Sequence, residues 1–200
     1  MTREEKAQKL SELYDAIAAD SSYRTQGMGC VLVPGAGGIE DHALVFVGEA
    51  PGREEEIEKL PFVGQAGKNL ETLLGEIGLS RRDVFITNLL KYRPVASNGS
   101  NRPPSAGERH YALPYLVEEL RILSPELVVC LGLSAAKALL DQPALKMAEA
   151  HNRLFEGHGL RIFVTYHPSP FNFMIAEKRK ALHDAFRHLS SLSKRRSVYE

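Results

Sequence analysis

Three side chains that can carry acid–base or hydrogen-bond chemistry each stand just beyond a short apolar run of the chain: Glu49, Asn88 and His167. A carboxylate can hold and activate water, and a carboxamide offers one donor and one acceptor to a polar ligand edge. An imidazole can stabilise negative charge as it develops on a reacting group. If these three groups meet in one crevice, they are more typical of an active site than of a requirement of the fold.

The apolar runs that precede them predict the elements that would bring them together. The runs are short and rich in β-branched residues, as is typical of parallel strands buried on both faces; they cover residues 43–47, 84–86, 127–131 and 162–164. Open parallel sheets bind ligands in the crevice at the carboxyl ends of their strands. We therefore expect Glu49, Asn88 and His167 to lie at one rim of one sheet.

Helical patterns alternate with these strands and complete the predicted fold. Apolar spacing predicts helices at residues 3–19, 65–77, 105–123, 134–140 and 173–192. Ser105 and Glu108 have the spacing of a capping box at the start of one of them. The alternation predicts an α/β fold, a single three-layer αβα domain with a central, mainly parallel four-stranded sheet. We expect this domain to span residues 1–200, with 193–200 as a flexible basic tail.

Composition excludes several classes of protein. The 200 residues carry no formal net charge, so bulk charge gives no sign of a nucleic-acid partner and any such contact must come from local basic patches. No apolar run approaches the roughly 20 residues that span a bilayer, and the charged N-terminus has no signal-peptide core. We expect a cytoplasmic protein without membrane association. Cys30 and Cys130 are too few for a disulfide framework or a Cys-rich metal site.

The individual motifs are each open to a structural explanation. The turn Gly48-Glu-Ala-Pro-Gly52 lets backbone approach a ligand, yet it lacks the ending of a phosphate-binding loop and could simply connect two elements. Phe62 could fill the core or present a face on which a planar base stacks. Asn88 is also typical of a turn. His167 and Ser169 alternate with two prolines that fix the local backbone, which favours a functional role for His167.

Taken together, the motifs resemble those of the uracil-DNA glycosylase superfamily, most closely its family 4, the iron–sulfur type of bacteria and archaea. The matching segments occur in family order at family-like spacing: Gly-Glu-Ala-Pro-Gly at 48–52, Pro-Phe-Val-Gly-Gln-Ala-Gly at 61–67, Ile-Thr-Asn at 86–88, Lys-Tyr-Arg-Pro at 91–94, Leu-Gly at 131–132 and His-Pro-Ser at 167–169. Each segment alone is weak, but the ordered set is specific.

The resemblance implies a role for each matched position. Glu49 would orient or activate the attacking water, and His167 would hydrogen-bond the base as negative charge builds on it. Phe62 would stack on a flipped uracil whose polar edge Asn88 would read. The remaining substrate-binding positions, less directly implied, are Gly48, Ala50 and Glu55.

Residues 91–105 contain Pro, Gly, Asn and Ser without periodicity and predict a long loop with several basic residues. Contacts with DNA are expected from this basic loop and from the segment after His167. The candidates are Lys91, Arg93, Arg102, Ser169 and Phe171. The sequence after His167 reads Ser-Pro-Phe-Asn-Phe, closer to the family 1 form of this loop than to family 4. Phe171 is thereby a candidate wedge into the base stack, or equally a residue that packs against the last helix.

The chain departs from family 4 at the cysteines that hold its four-iron cluster. Tyr92 stands where the third cysteine is usual, Ala112 stands at the fourth, and residues 10–23 contain none of the first pair. Two cysteines cannot replace four thiolate ligands. We therefore expect no cluster and no other cofactor or metal, with side chains such as Tyr92 packing the space.

The resemblance implies a monofunctional glycosylase that flips uracil out of DNA and hydrolyses the N-glycosidic bond in base excision repair. We expect it to act as a monomer on uracil-containing DNA. Three alternatives stay open: a wider range of deaminated bases, a non-catalytic protein of the same fold that binds damaged or abasic DNA, and an unrelated hydrolase of small nucleosides.

Overall fold

The computed structural model describes residues 1–24, 27–40 and 43–194, and its centre is a six-stranded sheet. The strands are β1 (Ala36–Gly37), β2 (Leu44–Gly48), β3 (Val84–Asn88), β4 (Leu127–Leu131), β5 (Arg153–Gly157) and β6 (Leu160–Thr165). Their order across the sheet is β1-β3-β2-β4-β6-β5. The four inner strands run parallel, and the two outer strands pair antiparallel with their neighbours.

The predicted fold class is confirmed, but the count of four strands was too low. The four predicted strands are the four inner ones, which are buried on both faces. β1 has only two residues, and β5 is half exposed and carries arginine and glutamate, so neither has the apolar pattern of a core strand. Short or charged outer strands of this kind protect the edges of a sheet from further pairing.

Eight helices are described around the sheet: α1 (Arg3–Ala19), α2 (Arg53–Glu58), α3 (Gln65–Glu76), α4 (Ala106–Leu123), α5 (Leu133–Leu140), α6 (Met147–Ala150), α7 (Pro170–Met174) and α8 (Ala176–Lys194). Apolar residues of α3 and α8 pack on one face of the sheet, and those of α1, α4 and α5 pack on the other. The capping box of Ser105 and Glu108 is present at the start of α4.

The last predicted helix is divided in the structure. Ser169 caps α7, whose first residue is Pro170, and α8 begins after a break at Ile175. The predicted tail at 193–200 lies outside the described residues, except where α8 reaches Lys194. Within the described ranges, none of the helices combines the length and apolar character that crossing a bilayer demands.

Strand register sets the positions of the candidate residues. Gly48 pairs with Asn88 across β2 and β3, so Glu49 leaves the sheet beside the Asn88 side chain. The backbone N–H groups of Leu89 and Leu90 donate to the carbonyls of Gly48 and Glu49 at 2.9 and 3.0 Å. These two bonds hold the two strand ends together beyond the sheet itself.

Candidate active site

The carboxyl ends of the four inner strands open into two adjoining cavities. An inner cavity of about 400 Å³ is lined by Glu55, Phe62, Asn88 and His167. An outer cavity of about 490 Å³ is lined by Glu49 and also by His167. The three side chains predicted to meet at this rim are therefore brought together, with His167 at the boundary between the two spaces.

Asn88 and Glu49 both present unengaged polar groups to these cavities. Asn88 is 3% exposed, and its carboxamide has no hydrogen-bond partner within residues 1–24, 27–40 and 43–194. The Glu49 carboxylate likewise has none in the described part of the chain. The polar atoms of both side chains remain open to the cavities that they line, where solvent or a ligand can reach them. Both groups are thus available to a bound molecule.

The imidazole of His167 is neutral at physiological pH. Burial lowers its pKa to about 4, against an opposing effect of the negative charge on Glu55. Two asparagines hold the backbone around it, since Asn172 Nδ2 donates to the His167 carbonyl at 2.8 Å and Asn69 Nδ2 donates to the Pro168 carbonyl at 2.9 Å. These bonds fix the backbone that carries the ring into the site, and the neutral ring offers one N–H and one lone pair.

Phe62 forms a wall of the inner cavity. Its ring is 5% exposed and its centroid lies 5.7 Å from that of His167. Glycine at position 48 makes room for it, because a Cβ there would come within 2.6 Å of the Phe62 ring and 2.3 Å of Asn88 Oδ1. Gly48 thus contributes space, and Ala50 lines both cavities.

Glu55 ties the motif after β2 to the segment that carries Phe62. Its carboxylate accepts hydrogen bonds from the N–H groups of Gly52, Val63 and Gly64 at 2.9–3.1 Å. An anion that satisfies three backbone donors fixes the two loops relative to each other. Glu55 therefore shapes the cavity rather than leaving its oxygens free for a ligand.

The basic residues of the loop at 91–105 do not reach outward as the sequence suggested. Lys91 is fully buried, and its Nζ donates to Glu119 Oε2 at 2.7 Å and to the Asn88 carbonyl at 2.8 Å. Burial lowers the pKa of Lys91, and the Glu119 carboxylate opposes that effect. The prediction that Lys91 contacts DNA is wrong, because a fully buried ammonium cannot reach a phosphate.

Arg93 and Arg102 are also committed to internal contacts. Arg93 is 7% exposed and donates to Glu56, Asn101 and the Gly99 carbonyl. Arg102 makes two bonds to Glu108, at 2.6 and 2.8 Å, although part of its side chain lines the outer cavity. The predicted DNA contact is therefore corrected for Arg93, whose donors brace the loop, while Arg102 keeps a place at the rim.

Ser169 and Phe171 occupy the opposite side of the opening. Ser169 lines the outer cavity, and its hydroxyl accepts a bond from the N–H of Asn172. Phe171 is 65% exposed, so its ring is not part of the buried face of the last helix, although it contacts a lysine at the start of α8. Lys178 Nζ lies 5.1 Å from the centre of its ring. An aromatic ring and a cation thus stand together beside the site.

Sequence reasoning missed Asn69, Asn101 and Asn172. Asn101 lines both cavities and accepts a bond from Arg93 Nε at 2.6 Å. These amides lie in a helix, an irregular loop and a short helix, and no spacing pattern marks them. Their roles depend on which carbonyls the folded chain brings within reach.

Tyr92 and Ala112, which stand where the resemblance implies the third and fourth cysteines, are buried in one cluster with aromatic side chains. We call the packed residues Tyr23, Tyr92, Tyr111 and Tyr115 the tyrosine cluster; Tyr23 has its ring centre 5.3–6.1 Å from the other three. Asp20 accepts hydrogen bonds from Tyr111 and Tyr115, and the latter bond raises the pKa of Tyr115 to about 12.

These residues do not fit an iron–sulfur cluster. Ala112 is buried beside the tyrosines and offers no ligand atom. Cys30 is exposed, whereas Cys130 is buried in β4, where burial raises the pKa of its thiol. Over the described ranges, no three His, Cys, Asp or Glu side chains gather as a metal would require. The described residues around the tyrosines therefore provide no thiolate ligands for a cluster.

Comparison with known proteins relates this architecture to one family. The sequence model described as "Uracil DNA glycosylase superfamily" matches residues 34–189. A type-4 uracil-DNA glycosylase of Archaeoglobus fulgidus is 41% identical over 144 residues, which cover 68% of this chain and 70% of that protein.

Two further relatives extend the comparison. A type-4 enzyme of Saccharolobus solfataricus is 39% identical over 165 residues, covering 78% of this chain and 73% of the relative. A type-5 uracil-DNA glycosylase of Pyrobaculum aerophilum is 31% identical over 142 residues, or 70% of this chain and 60% of that protein.

Proposed function

The chain belongs to the uracil DNA glycosylase superfamily, and from that premise we propose that it excises uracil from DNA in base excision repair. The enzyme hydrolyses the N-glycosidic bond and leaves an abasic site. The single observation that carries this proposal is the convergence of Glu49, Asn88 and His167 on two adjoining cavities. Inside a duplex the target bond is out of reach, so the nucleotide is flipped into this crevice.

The inner cavity receives the base. Phe62 stacks on its face, and the free carboxamide of Asn88 reads its polar edge with one donor and one acceptor. The support for this role is that the Asn88 amide lines the inner cavity and lacks a protein partner in the described ranges. Such a site rejects bases whose polar edge leaves the amide unpaired.

His167 stabilises the leaving base. As the bond to the sugar lengthens, negative charge collects on the uracil, and a fixed N–H donor lowers the energy of that state. The low pKa of His167 keeps the ring neutral near pH 7, so it acts by donating a hydrogen bond without having to transfer a proton. The amides of Asn69 and Asn172 hold its backbone in place.

Glu49 acts at the sugar side. Its carboxylate faces the outer cavity, where it positions the attacking water and offsets the positive charge that forms on the sugar. The water oxygen bonds to the sugar carbon, the bond to the base breaks, and the water proton leaves to the carboxylate. Ser169 lies at the same rim, and Phe171 fills the gap that the flipped nucleotide leaves.

Uracil release tests the proposal. Oligonucleotides with one uracil, single-stranded and paired with guanine, are incubated with the wild type, Glu49→Gln and the matched control Glu58→Gln, an exposed carboxylate of α2. We expect release by the wild type and the control, and kcat lower by about 10²–10³ for Glu49→Gln. Tight binding to abasic DNA without release by the wild type would favour a non-catalytic binding protein.

The same assay addresses the remaining alternatives. Release of hypoxanthine or xanthine would widen the base range, and activity on free deoxyuridine alone would indicate a nucleoside hydrolase. We also propose that the chain is one domain, acts as a monomer and works in the cytoplasm. Light scattering during gel filtration tests the monomer, for which a mass near twice 22.2 kDa would be contrary evidence.

A further inference from the structure

Phe62 adopts a backbone conformation that an aromatic residue rarely accepts. Its φ is +55°, in the left-handed region that disfavours residues with a bulky side chain. The ring is nonetheless buried against the inner cavity. Surrounding contacts must therefore hold this conformation, and they determine where the ring lies.

Arg81 supplies two of those contacts from the turn between α3 and β3. Its Nη1 donates to the Phe62 carbonyl at 2.7 Å, and its Nη2 donates to the Pro61 carbonyl at 2.6 Å. These carbonyls belong to the two peptide planes that meet at the Phe62 Cα. A planar guanidinium that holds both planes fixes their relative orientation, and hence φ and ψ of Phe62.

Glu55 holds the second of these planes from its other side. The Phe62 carbonyl and the Val63 N–H share one peptide unit; the carbonyl accepts from Arg81, and the N–H donates to Glu55 at 3.1 Å. The chain also passes very close to α3 here, since a Cβ on Gly67 would lie 1.7 Å from the Phe62 oxygen. The segment is clamped by an anion on one side and a cation on the other.

Arg81 itself does not line either cavity. Its other described partner is Glu71, at 3.4 Å and half exposed, which is a weak surface pair. We propose that Arg81 is a positioning residue for base recognition, acting through Phe62 by holding its left-handed backbone. This inference rests on the proposed function, because it assigns the Phe62 ring to stacking on the extruded base.

A double-mutant cycle tests whether Arg81 acts through Phe62. We compare kcat/KM for uracil release by the wild type, Arg81→Ala, Phe62→Ala and the double variant, with Arg82→Ala as the matched control. Arg82 is the neighbouring arginine and is exposed. We expect Arg81→Ala to lower kcat/KM about ten-fold, with most of the change in KM, and Arg82→Ala to leave it unchanged.

The second half of the cycle decides the mechanism. In the Phe62→Ala background we expect the additional loss from Arg81→Ala to disappear, because the ring it positions is gone. A general loss of stability would lower activity equally in both backgrounds and would overturn the inference. Arg81→Lys should recover only part of the activity, because an ammonium does not reproduce the planar two-carbonyl contact.

A structural readout that needs no turnover accompanies the kinetics. We expect a crystal structure of Arg81→Ala to show Phe62 with a negative φ and its ring displaced from the inner cavity. An unchanged φ would refute the inference, and Arg81→Lys is used for both readouts if the alanine variant does not fold. Failure of the wild type to release uracil, or to bind an oligonucleotide with an uncleavable 2′-fluoro-deoxyuridine, would instead count against the proposed function.

Discussion

The wall of the inner cavity and the basic loop at residues 91–105 use polar side chains in opposite ways. In the wall, the amide of Asn88 and the ring of His167 lack hydrogen-bond partners among the described residues and face open space. In the loop, Lys91, Arg93 and Arg102 are bonded to Glu119, Glu56 and Glu108. Both regions looked functional in the sequence, and only the first presents free groups.

The difference shows that position in the topology is a better guide to function than local charge. A residue just after a parallel strand is delivered to the rim by the sheet itself. A cation in an irregular loop can instead be neutralised by a distant carboxylate, and the sequence gives no sign of the pairing. If the comparison holds, substitutions in the loop change stability, and substitutions in the wall change chemistry.

The largest effect is expected for Lys91. Lys91→Ala leaves the carboxylate of Glu119 buried without its cation, which should lower the free energy of unfolding by about 3–5 kcal/mol. The double variant Lys91→Met/Glu119→Leu removes both charges and should recover much of that loss. Urea denaturation measures both, with Lys9→Met on the exposed face of α1 as the control. A large loss of DNA affinity at unchanged stability would contradict the structural role.

A smaller effect, from the cavity wall, is expected in the dependence of stability on pH. The unfolded chain protonates a histidine near its ordinary pKa, whereas folded His167 stays neutral until about pH 4. The unfolded state thus binds more protons between these values, so stability falls as the pH is lowered through this window. The loss of stability is on the order of 3 kcal/mol and is complete below about pH 4.

The variant His167→Gln isolates that contribution. Glutamine keeps a neutral side chain, so the slope of unfolding free energy against pH from 4 to 6.5 should become shallower than in the wild type. His110→Gln, an exposed substitution on α4, serves as the control. Parallel slopes for wild type and His167→Gln would mean that the imidazole is not kept neutral by burial.

A moderate effect is expected at Phe171, on the opposite side of the opening. Phe171→Ala should slow excision from duplex DNA about ten-fold and leave excision from single strands nearly unchanged, because only the duplex has a stack to separate. The exposed Ile57 of α2, 70% accessible, provides the control Ile57→Ala. Equal losses on both substrates would assign Phe171 to general DNA binding instead of unstacking.

The smallest expected signal concerns iron. Because the tyrosine cluster and Ala112 offer no thiolates, we expect the purified protein to contain only trace iron and to lack visible absorption. Elemental analysis together with an absorption spectrum checks this, and iron in whole-number ratio to protein would contradict it. Tyr92→Phe should leave excision unchanged, since its ring packs without being near either cavity.

Much of the fold followed from the sequence because the inner strands are continuous apolar runs. The missed strands have weaker sequence signals. β1 is only two residues long, and β5 is half exposed and lacks a run of apolar residues. The short helix α2 was not among the predicted helices, although its first-turn acidic residues suit a helix N-terminus.

The site was predictable where the sheet alone positions a residue, as for Glu49, Asn88 and His167. It was not predictable where a role depends on a contact between distant segments. Arg81 was passed over because its importance lies in the unusual backbone of Phe62, which no sequence pattern reveals. Lys91 was misread for the same reason, since Glu119 lies on another element.

The tyrosine cluster also bears on how the protein is made. A domain braced by metal must wait for delivery of its prosthetic group before that region can consolidate. Here the bracing side chains belong to the chain itself, so this region can pack as soon as the polypeptide folds.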